Sequence, residues 1–124
     1  MSDAAIHRST APANAPGQRL YLQRVTINPG TRLDTHYHDG TQVAAVVDGT
    51  LTYDMVEGAV EVTRKSGTVE TFTAPETISL DEGDAITETV DLVHFGANDT
   101  DEQVVILVAA LLADGAPLAT PVPE

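Results

Sequence analysis

The stretch NPGTRLDTHYHDGTQVAAVVDGTLTYDMVEG, residues 28–58, is broken at a regular interval by Asn28-Pro29-Gly30, Asp39-Gly40, Asp48-Gly49 and Glu57-Gly58. Each break supplies a residue that accepts positive φ or a side chain that caps a turn. Between the breaks lie Val, Thr, Leu and Tyr, the residues that fit a pleated surface. Turn signals every eight to twelve residues or so define an all-β sandwich or barrel of short antiparallel strands.

The same rhythm continues outward through Ser66-Gly67, Ala74-Pro75, Asp81-Glu82-Gly83-Asp84 and Ala97-Asn98-Asp99. It predicts strands near 19–28, 31–37, 41–48, 50–57, 59–65, 68–73, 77–80, 85–89, 92–97 and 103–112. No long amphipathic helix fits, because β-branched residues are frequent and most windows hold a Gly or Pro. Residues 1–17 are rich in Ala, Pro, Ser and Thr with little periodicity, and read as a flexible N-terminal arm. Residues 115–124 hold three prolines and read as an irregular C-terminal tail, which leaves one folded domain over 18–114. Val43-Ala44-Ala45-Val46-Val47 is apolar on both alternating faces. Such a strand is covered on both sides, so a homodimer is expected.

A chain of 124 residues with 19 acidic and six basic residues carries a formal charge of -13. Phosphate backbones and anionic lipid surfaces repel such a molecule, so neither nucleic acid nor membrane is expected as a partner. There are no cysteines, which excludes disulfides, thiolate metal sites and cysteine nucleophiles. The start, MSDAAIHRST, lacks the pattern of a signal peptide, and the apolar run Val104 to Ala113 is too short to span a bilayer. A cytoplasmic protein is the expectation.

His36-Tyr37-His38 carries the chemistry. In a strand, residues two apart share a face, so both imidazoles can converge on one ion while Tyr37 turns away. Gln42 has the same parity, and its amide oxygen reaches the same ion if the pairing stays in register through Gly40. Alone, a His-x-His pair reads as a hydrogen-bonded surface feature.

The spacing of Gly30, His36, His38, Gln42 and Gly49 resembles the first motif of the cupin superfamily, with Gln42 where that motif usually has Glu. Gly83, Thr89, Asp91, His94 and Asn98 follow at the spacing of the second motif, Thr89 and Asp91 replacing its Pro and second Gly. The resemblance covers about Arg19 to Leu112. It implies a double-stranded β-helix, the jelly-roll barrel, holding one divalent metal ion on His36, His38, Gln42 and His94. Zinc, nickel, manganese, iron and copper all accept imidazole and amide oxygen, so the metal stays open. Asn98 reads as a structural residue of the closing turn, and Gly30, Gly49 and Gly83 as turn positions. Arg24, Arg32, Tyr53, Met55 and Glu88 are candidates to line the cavity, an Arg to orient a carboxylate. Their alternatives are surface salt bridges, core packing and, for Glu88, a solvated face.

Three neutral imidazoles and a neutral amide leave a divalent site at about +2, where a Glu ligand would leave about +1. The more positive site is the stronger Lewis acid. Glutamine at this place occurs in cupins resembling uronate-linearising enzymes and polyketide cyclases. The reading is therefore a metal-dependent enzyme acting on a small oxygenated or anionic molecule by isomerase, cyclase or lyase chemistry. An Fe(II)-type dioxygenase is the first alternative, since some cupin dioxygenases use three histidines alone. A non-enzymatic small-molecule or metal-binding module is the second, and a purely structural barrel ranks last. No catalytic residue is assigned beyond the ligands.

Overall fold

A computed structural model describes residues 2–123 of the chain. The strands of the first half are β1 (Ser2–Thr10), β2 (Gln18–Ile27), β3 (His36–Tyr37), β4 (Gly40–Asp48), β5 (Thr50–Glu57) and β6 (Ala59–Thr63). Those of the second half are β7 (Val69–Thr73), β8 (Glu76–Asp81), β9 (Ala85–Glu88), β10 (Val93–Ala97), β11 (Val104–Ala113) and β12 (Thr120–Pro121). There is no helix among the described residues, so none is long and apolar enough to cross a membrane.

Two antiparallel sheets result, one ordered β1-β2-β11-β4-β9-β6-β7 and the other β12-β3-β10-β5-β8. Hydrogen bonding runs within each sheet and does not close a single ring among the described residues; the arrangement is a jelly-roll sandwich. Alternation along the strands sends one face inward. In β5 the inward set is Leu51, Tyr53 and Met55, and in β4 it is Gln42, Ala44 and Val46. Together with Ile27, Val60, Val62, Ile78, Leu80, Ile86, Val108 and Leu112 they fill the core.

The strands predicted from the turn signals are present, with three differences, one being β12 in the tail read as irregular, where it pairs antiparallel with β3. The expected strand over 31–37 shrinks to His36–Tyr37, preceded by an isolated bridge between Arg32 and Ala97. The segment read as an arm contains β1, paired antiparallel with β2 from Ser2↔Ile27 to Thr10↔Leu20. It is a strand through that pairing rather than through a buried face, since residues 5–8 are exposed. Met1 and Glu124, the outermost residues of the two tails, lie outside the described residues.

The chain passes from one sheet to the other between β3 and β4, with His38-Asp39 between the two strands, so the condition that pairing stay in register through Gly40 is not met. Gly40 makes the crossing possible. A Cβ there would lie 2.0 Å from the Leu111 carbonyl oxygen, because the start of β4 presses on β11.

Candidate metal centre

The sandwich interior opens into a cavity of about 290 Å3. Its walls are largely apolar, with Val25, Leu33, Ile86, Ile106 and Val108 among the lining residues, and its polar end holds His36, His38, Gln42, Glu88 and His94.

Three strand relationships assemble that end. His36 on β3 pairs directly with His94 on β10, so the two motifs meet across one ladder. His94 in turn faces Met55 on β5, beside Tyr53, whose ring stacks on the imidazole at 5.1 Å between centroids. Gln42 on β4 pairs with Glu88 on β9 from the opposite sheet. One nitrogen from each of His36, His38 and His94 lies within 4.8 Å of the others, so the three converge as a group that could hold a metal ion.

The tautomers are set from outside the cluster. His36 Nδ1–H donates to the Asp34 carbonyl at 2.6 Å, and His38 Nδ1–H donates to the Leu118 carbonyl at 2.7 Å. A carbonyl only accepts, so in the neutral rings Nε2 keeps its lone pair, the state a metal requires. His94 Nδ1 is buried without a hydrogen-bond partner among the described residues. Burial, followed by the neighbouring His94 and His38 rings, lowers the His36 imidazole to about 4, so His36 is neutral near neutral pH. The donor set therefore fits a divalent ion: three imidazoles, two of them fixed in the ligating tautomer.

Glu88 is the residue whose place differs most from a solvated face. It is 2% exposed, with Oε1 accepting from Gln42 Nε2 at 2.7 Å and Oε2 accepting from Tyr53 Oη. His38 Nε2 lies 3.4 Å from Oε1 and His94 Nε2 3.0 Å from Oε2. Burial would raise the Glu88 carboxyl, but the charges and hydrogen bonds of His94 and His38 outweigh it and hold the group ionised, well below the usual carboxylate range. Glu88 in turn raises His38 against the opposing effect of that ring's burial. Burial, then Glu88, pushes the Tyr53 phenol far up, so Tyr53 keeps its proton.

The other candidates divide. Tyr53 and Glu88 line the cavity, whereas Met55 sits in the core. Arg24 is exposed on the outer face of its sheet. Arg32 is exposed too, with its guanidinium 3.9 Å above the Phe95 ring and a bond to Thr35. The lining residues include neither Lys nor Arg, so no side-chain cation orients a carboxylate there. Gln42 is buried, with Nε2 3.3 Å from His38 Nε2 as well as bonded to Glu88.

Asn98 is fully buried and satisfied in the closing turn: Nδ2 donates to the Ile27 and Glu102 carbonyls, and Oδ1 accepts from Thr100 N and Oγ1. In the loop to His94, where the motif's proline is replaced, Thr89 Oγ1 donates to Asp91 and Leu92 N closes a turn on the Thr89 carbonyl. Leu118 is a contributor that side-chain patterns did not reveal, since it acts through a backbone carbonyl.

No family model matches the sequence, and no curated protein matches it. Solved structures do. An oxalate oxidase in complex with the substrate analogue glycolate aligns at a TM-score of 0.65 and 18% identity, covering 98% of this chain and 55% of that one. A cupin-like protein from Thermotoga maritima aligns at 0.64 and 15%, covering 99% and 77%. A chain from crystal structures of DMSP lyases aligns at 0.62 and 13%, covering 84% and 44%. The chain thus spans about half the length of the lyase and oxalate oxidase chains. These likenesses, with the three-histidine cluster, establish that the chain has the cupin fold.

Proposed function

We propose that this chain is a metal-dependent enzyme acting on a small oxygenated molecule by Lewis-acid isomerase, cyclase or lyase chemistry. The observation that carries this reading is the convergence of His36, His38 and His94 at the polar end of an otherwise apolar cavity. Buried convergent histidines are a costly structural choice unless something binds them.

A divalent ion held there would polarise an oxygen of the substrate and lower the pKa of a bound water. The chain's own groups do the rest. Val25, Leu33, Ile86, Ile106 and Val108 receive an apolar body and exclude water. Asp34 and Leu118, through their carbonyls, engage the Nδ1 side of His36 and His38 and would leave Nε2 of each ring to hold such an ion. Tyr53 retains its proton as a donor, and Glu88 is the ionised acceptor beside it. With no Lys or Arg on the wall, an anionic substrate would meet its counter-charge only at the metal.

The test is elemental analysis of protein purified without added metal, followed by a substrate panel with wild type and the His36→Ala and His38→Ala variants. One divalent ion per chain, lost in both variants together with turnover, is expected. Metal retained by both variants would refute the centre. Oxygen consumption dependent on Fe(II) would assign dioxygenase chemistry instead, and tight binding of one compound without turnover a binding module.

A further inference from the structure

Glu88 is a buried carboxylate that a three-histidine centre does not use. Both its oxygens are held, Oε1 by Gln42 and Oε2 by Tyr53. A fully buried negative charge needs a positive partner, and the lining residues contain no Lys or Arg. What faces the carboxylate is two imidazole nitrogens, His38 Nε2 at 3.4 Å and His94 Nε2 at 3.0 Å.

The His38 contact is the informative one. Its Nδ1–H is committed to Leu118, so in the neutral ring the atom facing Glu88 Oε1 is a lone-pair nitrogen. Gln42 Nε2, 2.7 Å from Oε1 and 3.3 Å from His38 Nε2, bridges these two acceptors from one side, and a proton or a metal ion between them supplies the positive charge that the buried carboxylate needs. Donors bound to one ion at about 2.0–2.2 Å stand about 2.9–3.5 Å apart at octahedral to tetrahedral angles, and both observed separations fall in that range.

The ladder explains how the carboxylate arrives. Gln42 and Glu88 are direct partners on adjacent strands. Such partners have Cβ atoms about 4.5–5.5 Å apart on one face. Position 42 is where the first motif usually carries Glu. Here the amide and the carboxyl have exchanged places across the β4–β9 ladder.

Building on the metal centre proposed above, we propose that Glu88 is its carboxylate ligand, completing a set of His36, His38, His94 and Glu88, with Gln42 and Tyr53 as positioning residues that hold the two Glu88 oxygens. The site then carries about +1 with a divalent ion. The sequence expectation gives the fourth place to Gln42 instead, and the two assignments are separable.

The test is Co(II) titration of the full chain, read by ligand-field absorption and by competition affinity, with thermal unfolding recorded for every variant. Glu88→Gln should weaken Co(II) binding at least about 100-fold and alter the absorption envelope, more than the 10–100-fold typical of an outer hydrogen-bonding partner. The exchanged protein, Gln42→Glu with Glu88→Gln, should recover affinity to within about tenfold, because a carboxylate again faces the ion from the ladder. Should Glu88→Gln not fold, Glu88→Asp keeps the charge but withdraws it, and weakened binding with an altered envelope is again expected. His38→Ala separates the two proposals. If it abolishes binding while Glu88→Gln or Glu88→Asp leaves affinity and envelope unchanged, the three-histidine centre stands and Glu88 is not a ligand. If wild type binds no Co(II), both fall.

Discussion

Gln42 and Glu88 face each other across the β4–β9 ladder, with the amide nitrogen 2.7 Å from the carboxylate oxygen. An amide donor beside a carboxylate acceptor fixes the Glu88 side chain, and Tyr53 fixes it from the other oxygen. Glu88 thus brings a negative charge to the polar end of the cavity, placed by two neutral groups. Changes at position 42 therefore act on charge and on Glu88 orientation together.

Gln42→Glu tests this coupling. Without metal, two carboxylates would face each other where a hydrogen bond now lies, and the metal-free protein should melt lower than wild type. With metal, the added negative charge should tighten binding and raise the pKa of bound water. The expected outcome is a larger metal-induced rise in Tm, read by differential scanning fluorimetry with and without Co(II). An unchanged rise would mean that position 42 does not feel the ion.

The metal-free chain should have a stability maximum near pH 6.5. His36 is lowered from 6.5 to about 4, so between those values the unfolded state binds the proton more readily and stability falls as pH drops, by about 2–3 kcal/mol from this group. Glu88 is also lowered, and its contribution, present above about 4.5, is lost on further acidification. His38 is raised, so its contribution is full below about 6.5 and fades as pH rises past its folded value. Urea unfolding across pH 4 to 8 would show the curve, and His36→Gln should flatten the limb between 6.5 and 4. A wild-type curve that stays level over that limb would contradict the burial of a neutral His36.

Most of the strands were legible because Gly49, Gly58 and the other turn residues mark where the chain must reverse, and the histidine spacing placed both halves of the site. What escaped had physical reasons. Residues 5–8 of β1 are exposed, so its strand character comes from pairing with β2 and leaves no periodic trace. Glu88 shares parity with the buried Ile86, which placed it inward, but Glu is so seldom buried that a solvated face was the ordinary expectation. The His38 partner is the Leu118 carbonyl, and a backbone acceptor has no side-chain signature.

That carbonyl makes the C-terminal segment part of the site. Pro121 pairs with His36, Thr120 with Tyr37, and Val122 N donates to the Thr35 carbonyl, so the tail lies along the histidine strand. Removing residues 117–124 should leave both sheets folded, since β12 is a two-residue edge, yet release the His38 ring. Co(II) affinity should fall about 10–100-fold, the usual cost of losing a ligand's orienting bond. Imidazole nitrogen chemical shifts would report the freed tautomer directly. A truncated chain with unchanged affinity and unchanged His38 shifts would contradict the orienting role.

The outer face of the seven-stranded sheet motivates the last prediction. Leu20 and Leu22 on β2, Leu107 on β11, and Val43 and Val47 on β4 are all exposed, Val43 by 49% and Val47 by 41%. Register brings them together: Ala109 sits between Leu22 and Val43, and Leu107 between Arg24 and Ala45. An apolar patch across three adjacent strands, with Arg24 beside Leu107, is a surface that monomers rarely leave bare. We expect a homodimer in which two such faces pack, a self-complementary arrangement of the commonest symmetry. Sedimentation should give about twice the chain mass for wild type, and Leu107→Glu or Val43→Glu should give the monomer, because a charge at the centre of an apolar interface is left without a partner. Neither residue lines the metal cavity, so Co(II) affinity per chain should not change with the mass. A wild type that sediments as a monomer at high micromolar concentration would show that this face stays open to water.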